Sequence, residues 1–412
     1  MDPNQADANA AAAEAAANSV DDEALVSLLQ DMVRVRSYSD AGEEGRIARM
    51  MCDRLSALGL SAELQEVSAG RFNVIARLAG TGGGTSLMFN GHLDTNPAGE
   101  GWTKDPLGGE VDDAFIYGIG VSNMKAADAA YVGAVKAVME SGVELRGDVV
   151  IALVIGELQG GVGTVHMIES GVRADRFVVG EPTDLSALTL HAGTMEAEVT
   201  VYGETRHVSK MEDGIDAIAK MRLAMDRLQT MTFSGPNSLQ YEGLRRVCIG
   251  VIRGGIGPEF QEWRPALLAD HCMIKLTGRF SPGQTADGVL EDMRGELERL
   301  AREDAAFKAD IKMNRRGQDL VMNPFEVDPS TDIVQTVVAA HRQVTGRDPQ
   351  VGDVAPYKFY GTDASHLARA GMTGLVYGPG GAFNTMPDER VALQDLKDAA
   401  RVYARTIVAT CM

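Results

Sequence analysis

The sequence predicts a three-layer α/β/α domain on a mixed sheet, interrupted by an inserted α+β domain of ferredoxin-like type. Three observations predict it. Strand-like runs in the first half alternate with helical patterns and end in polar residues, which is where open α/β sheets place their ligands. After Gly193 the pattern changes to strand, helix, strand, strand, helix, the order of a separate sandwich. The chain has 412 residues, enough for about two or three domains. The expected boundaries are a disordered or extended tail over 1–20, a first main-domain segment over 21–193, the insert over 194–313 and a returning segment over 314–412.

The elements follow in order. Leu25, Leu28, Leu29, Met32 and Val33 recur at helical spacing, which predicts a helix over 22–35. A second helix runs over 43–58, with Gly59 placed as its stop. Strands are expected over 61–67, 73–78 and 86–89, the last leading directly into Asn90-Gly91-His92-Leu93-Asp94-Thr95. A helix over 126–141 precedes buried strands over 148–155 and 176–179, which end at Glu157 and Glu181. Three strand ends thus deliver a histidine and carboxylates to one sheet edge. In the insert, strands are expected over 194–202, 247–252 and 271–277, with helices over 214–228 and 286–301. A helix over 331–345 and a strand over 374–377 complete the main domain.

Composition excludes several classes. With 58 acidic against 39 basic residues the net charge is −19, which argues against nucleic acid and against an anionic membrane surface. No apolar run has the length of a membrane span. The Ala-rich, acidic first nineteen residues lack the basic start and apolar centre of a signal peptide and read as a frayed tail or an exposed helical extension. Cys52, Cys248, Cys272 and Cys411 have no CxxC spacing, so neither a cysteine zinc site nor a disulfide framework is expected. A cytoplasmic protein acting on a small molecule fits these features.

The chemistry concentrates in a few motifs. His92 and Asp94 on one strand end suit a metal-binding imidazole with a carboxylate that orients it. Glu157 sits on a glycine turn, Gly156-Glu157-Leu158-Gln159-Gly160-Gly161, and Glu181 opens Glu181-Pro182-Thr183. The turn Tyr117-Gly118-Ile119-Gly120-Val121-Ser122-Asn123-Met124-Lys125 lacks the Lys-Ser/Thr of a phosphate loop. His166 and His341 lie in helical runs and read as surface residues, Asp105 and Asp128 read as structural, and His191 and His366 stay open.

Taken in order, these motifs resemble the metallopeptidase family of acetylornithine deacetylase, succinyl-diaminopimelate desuccinylase, aminoacylase and glutamate carboxypeptidase. The resemblance includes Trp102 with Asp105-Pro106, Gly160–Thr164, His207, Arg279 with Pro282-Gly283, Gly361-Thr362-Asp363, Tyr377–Gly380 and Pro387–Val391. It implies a catalytic α/β domain with an inserted lid that often dimerises, so a homodimer or higher homo-oligomer through the insert is expected. The family's usual site holds two metals roughly 3.5 Å apart. By the resemblance, His92, Asn123 and Glu181 stand at the ligands of one metal. The ligands of the other are represented by Asn123, Leu158 and Thr385, and its two private positions have lost their ligating groups. The expectation is therefore a single divalent transition metal, Mn, Zn, Fe or Co. Glu157 stands at the general base, Asp94 behind His92, His207 at the anion-stabilising histidine, and Arg279, with Arg253 as a second candidate, at the substrate carboxylate. The altered ligand set points to an aminohydrolase attacking a C–N bond of a small carboxylate-bearing substrate. Its expected reaction is hydrolytic deamination of an activated aromatic amine such as 5-nitroanthranilate. The alternatives are an N-acyl amino acid deacylase or peptidase and an inactive ligand-binding homologue.

Overall fold

The computed structural model describes residues 3–236, 241, 243–314 and 321–412. The chain divides into two compact units. One comprises the residues up to Leu190 with Phe325–Lys358 and Thr362–Met412; the other comprises His191–Pro324 with Phe359–Gly361.

In the first unit a mixed eight-stranded sheet is ordered Ser61–Ser68, Arg71–Leu78, Val149–Val154, Leu87–His92, Arg176–Val179, Thr373–Val376, Ala187–Leu188, Val351–Gly352. The four strands from Val149–Val154 to Thr373–Val376 are mutually parallel, and the first two form an antiparallel edge. Leu87–His92 and Val149–Val154 are buried at every position, as expected for strands covered on both faces. On one face Val74, Phe89, Ile151 and Val178 share an apolar cluster with helices Asp22–Arg34, Gly45–Ala57, Ala126–Ser141, Asp332–Thr345 and Leu393–Cys411. The other face carries Val162–Glu169 against strands Ser61–Ser68 and Arg71–Leu78, and Ala364–Arg369 against Thr373–Val376. This is the three-layer α/β/α arrangement that the alternating pattern predicts. Parallel order places the carboxyl ends of Leu87–His92, Val149–Val154 and Arg176–Val179 on one edge, so His92, Glu157 and Glu181 emerge together.

The first residues depart from expectation. Of the two expected forms, a frayed tail or an exposed helical extension, Pro3–Asn18 takes the helical one, but it is not fully exposed: it packs against Leu393–Cys411 and Ala126–Ser141, with Ala13, Ala16 and Ala17 buried. Alanine has the highest helix propensity, and its small side chain permits close approach of two helices. A reading that looks for large apolar residues misses such a face. His341 also departs: it is 3% exposed, and its Nδ1 accepts from the Tyr377 hydroxyl at 2.8 Å. Tyr377 in turn joins Tyr403, Tyr131 and Phe89 in one aromatic cluster beneath the sheet.

The second unit is a four-stranded antiparallel sheet ordered Arg246–Gly255, His271–Phe280, Gly193–Tyr202, Lys308–Met313. Helices Ala217–Thr230 and Ala286–Glu303 are interleaved in β-α-β-β-α-β order, the ferredoxin-like arrangement. Gly193–Tyr202 alternates buried and half-buried residues. Its inward Met195, Ala197, Val199 and Val201 join Met221, Leu228, Val289 and Met293 of the helices in a separate core. Each helix opens on a side-chain cap, Asp216 to the amide of Ile218 and Thr285 to that of Gly288. Among the described residues no helix is long and apolar enough to cross a membrane.

Burial, reinforced by the charge of Arg347, pulls His341 down to about 4. The unfolded chain therefore takes up a proton near pH 6.5 that the folded chain refuses until about pH 4. The stability this group contributes is complete above pH 6.5 and falls by about 3 kcal/mol by pH 4. Urea unfolding of the wild type and His341→Asn across that window checks it. The variant is expected to lose stability less steeply as pH falls; parallel slopes would remove His341 as the source.

Candidate active site

The strand Leu87–His92 ends on His92, whose side chain is 1% exposed. Its Nδ1 lies 2.8 Å from the main-chain oxygen of Asp94, which makes Nδ1 a protonated nitrogen and turns Nε2 toward Asn123. Nε2 is 2.6 Å from Asn123 Oδ1 and 3.6 Å from Glu181 Oε1. His92, Glu157 and Glu181 each direct one ligand atom so that the three lie within 4.8 Å of one another. Two strand ends, the turn after a third and the Asn123 turn therefore meet at one point.

Asp94 does more than the sequence suggests. Its carboxylate is 3.5 Å from His92 Nδ1, and its closer partners lie elsewhere. Ser39 Oγ donates at 2.8 Å, and the amides of Glu157 and Leu158 at 3.2 Å each. The backbone of Asp94 thus aims the imidazole while its carboxylate clasps the turn that carries Glu157. Burial alone would raise this carboxyl; the His92 ring and the donors from Ser39 and Glu157 outweigh it and hold Asp94 below the usual aspartate range. Gly156, Gly160 and Gly161 bracket the turn with φ of 68°, 91° and 78°, a left-handed series open to glycine at little cost. Gln159 ties it further: its Nε2 donates to Ser39 O at 2.6 Å, and Arg71 Nη1 donates to its Oε1 at 3.0 Å, with Arg71 also paired to buried Glu44.

Asn123 is positioned from behind by Glu389, whose Oε1 accepts the amides of Ser122 at 2.8 Å and Asn123 at 3.1 Å. Burial pushes Glu389 up to about 7 against those donors. The Asn123–Met124 peptide is cis. Lys125, fully buried, donates to Met32 O and Val35 O and anchors the turn to helix Asp22–Arg34; burial pulls it down to about 8.

Burial, then the negative charge of Glu181, raises Glu157 well above its ordinary value; burial likewise raises Glu181, with His92 opposing. Burial opposes a charged His92, and Asp94, Glu181 and Glu157 overcome it. Two facing carboxyls and the imidazole Nε2 form a donor set in which a divalent cation would take the place of the ring proton and stabilise both carboxylates as anions at once. The residues present therefore fit one such ion. Leu158 is 38% exposed and carries no ligating atom, and the Thr385 hydroxyl donates to Asn384 Oδ1 at 2.7 Å.

His207, Arg253 and Arg279 all belong to the second unit. There His207 is exposed and caps the 208–213 turn through Nδ1 and the Ser209 amide. Arg253 lies exposed on the edge strand, and Arg279 lies on His271–Phe280 opposite Thr194. His191 is buried, with Nδ1 2.9 Å from Ala192 O. His366 Nε2 is 3.0 Å from Gly160 O, which puts it against the Glu157 turn. His166 is half-buried. Reading the sequence missed Ser39, Gln159 and Glu389 as supports. Glu389 had a signal, since it lies in the Pro387–Val391 motif; Ser39 had none.

Asp128 is buried beneath the site, and neither of its oxygens has a hydrogen-bond partner among the described residues. A Cβ at Gly91 would stand 2.0 Å from Asp128 Oδ1 and 2.8 Å from Met124 Cε. Gly91→Ala is expected to cost about 1–3 kcal/mol by overpacking, and Asp128→Ala in the same chain to recover most of it, read as non-additivity in urea unfolding. Strictly additive costs would show that the two positions do not press on each other.

With this geometry in view, similarity to known proteins can be weighed. Residues 88–409 match Peptidase family M20/M25/M40. The chain is 27% identical to the N-formyl-4-amino-5-aminomethyl-2-methylpyrimidine deformylase of Bacillus subtilis, covering 94% of this chain and 95% of that one. It is 28% identical to the succinyl-diaminopimelate desuccinylase of Methylorubrum extorquens, over 94% and 98% of the two chains. The fold superposes on an M20 family metallo-carboxypeptidase of Sulfolobus solfataricus with a TM-score of 0.77 at 17% identity, covering 94% of this chain and 98% of that one. The chain belongs to peptidase family M20/M25/M40, a family of metal-dependent hydrolases of carbon–nitrogen bonds.

Proposed function

We propose that this enzyme hydrolyses the amide bond of a small N-acyl or N-formyl substrate at the His92–Glu157–Glu181 centre. The observation that carries the reading is the convergence of those three buried groups, with ligand atoms within 4.8 Å of one another and Asn123 Oδ1 2.6 Å from His92 Nε2. His92, Asn123 and Glu181 are the residues that would hold a divalent cation. When bound, such an ion supplies positive charge that acidifies water and polarises a carbonyl. Leu158 and Thr385 offer nothing for a second ion, which supports one ion, of the Mn, Zn, Fe or Co class.

Glu157 takes the proton from the attacking water and returns it to the leaving nitrogen. Burial raises its affinity for a proton above that of an exposed glutamate, which favours uptake of the proton from water. Asp94 keeps the Glu157 turn and the His92 ring in register through the contacts described above. His207 is proposed to stabilise the developing anion, and Arg279 or Arg253 to hold a substrate carboxylate. A homodimer through the second unit and a cytoplasmic setting complete the proposal. The named relatives remove formyl and succinyl groups. That supports amide hydrolysis in place of the aromatic deamination of 5-nitroanthranilate expected from the ligand set; nothing in these similarities supports the latter.

Glu157→Gln is expected to lower turnover of N-acyl substrates by about 10²–10⁴-fold while leaving substrate binding within a fewfold. Full activity in this variant would remove the assigned base. Calorimetric titration of the metal-free protein with Mn(II) is expected to show one tight equivalent, and two would overturn the single-ion assignment.

A further inference from the structure

A cleft of about 230 Å³ opens beside Asn123 in the first unit. Because Asn123 Oδ1 lies 2.6 Å from His92 Nε2, one wall of the cleft is also a wall of the cation position. The remaining wall is largely apolar and includes Trp102, Ile119, Met386 and Pro387. The charged residues that line it are Glu100 and Glu389, and among the described residues no Lys, Arg or His does so. Thr385, at the position where the family has a ligating histidine, is part of the same lining, so the lost ligand position is given over to the cleft.

Size and charge select the occupant. An apolar cavity of roughly 150 Å³ accommodates benzene, so this volume takes one six-membered ring with one or two small substituents. An indole wall favours a planar π-system over an aliphatic chain of equal volume. A carboxylate carried on the ring, on the side away from the cation position, would meet Glu100 with no Lys, Arg or His of the lining to offset it, whereas a neutral or protonated ring meets no such penalty. We propose that this cleft is the subsite for a planar aromatic or heteroaromatic ring, uncharged or cationic, carried by the substrate next to its scissile amide. The proposal deepens the reading of the site as an amide hydrolase and rests on it. It commits the ring-bearing end of the substrate to be free of negative charge.

Binding tests it separately from turnover. The chain has two tryptophans, and Trp263 is 75% exposed. In a Trp263→Phe, Glu157→Gln background the emission therefore reports Trp102 without hydrolysis of the probe. N-benzylformamide, N-(4-carboxybenzyl)formamide and N-butylformamide are titrated with Mn(II) present. The benzyl compound is expected to change Trp102 emission and to bind at least tenfold tighter than either of the others. Trp102→Leu, followed by calorimetry, is expected to reduce that preference about tenfold. Met386 is 44% exposed, so Met386→Lys leaves the core intact; it is expected to bring the carboxybenzyl compound to within about twofold of the benzyl one. Equal affinities for the three probes, or a charge preference that Met386→Lys does not move, would overturn the subsite. Ring-dependent binding in an enzyme whose Glu157 form hydrolyses none of the amides would sink the reaction reading and leave the subsite standing. Hydrolysis of all three without preference would do the reverse.

Discussion

The site depends on how one buried carboxylate is satisfied. Asp94 has no access to water, so its charge is tolerable only if donors surround it. Ser39 and two consecutive amides of the Glu157 turn supply them. That requirement fixes the turn, and with it the direction of Glu157. The same residue's carbonyl holds His92 Nδ1. One residue therefore sets both the orientation of the imidazole and the position of Glu157, a coupling through which a displacement of either would be felt by both.

Close packing allows this much polarity to be gathered at one edge. Gly91 leaves room for Asp128, and Gly161 leaves room for Asp363 and His366, each at distances where a Cβ would collide. Behind the first layer, Glu44, Arg71 and Gln159 form a second one that bolts the Glu157 turn to the loop bearing Ser39. Asn90 and Thr164 continue it: Asn90 Nδ2 donates to Thr164 Oγ1, which donates to Asp363. Around this polar wedge the apolar cluster is continuous from the Ala-rich first helix to the last helix Leu393–Cys411. The collected charge thus rests on a rigid support rather than on loops alone.

The cation position and the cleft beside it are two sides of Asn123. An asparagine in place of a carboxylate leaves one fewer negative charge among Glu157, Glu181 and Asp94, which suits a centre with fewer cations to neutralise. Leu158 and Thr385 follow the same logic, since neither could stabilise an ion and both leave space or apolar surface. The substitutions are consistent with one another chemically, and together they support the proposed single ion with an adjoining apolar recess.

Much of this was legible from the residues in order. The alternating strands and helices determined the α/β/α layers and the inserted sandwich, because hydrophobic period is a local property of the chain. The glycine turns and the motifs at strand ends likewise marked His92, Asp94, Glu157 and Glu181 as one cluster, which is how the structure gathers them. Sequence could not show that the carboxylate of Asp94 clasps the Glu157 turn more closely than the His92 ring. Nor could it show that Ser39 meets Asp94 across 55 positions and Gln159 across 120, because those contacts are long-range and depend on side-chain direction. The burial of the Ala-rich start and of His341 was misjudged for a related reason. Whether a helix face is buried depends on what packs against it, and only the tertiary structure brings Leu393–Cys411 against the first helix and Tyr377 against the histidine.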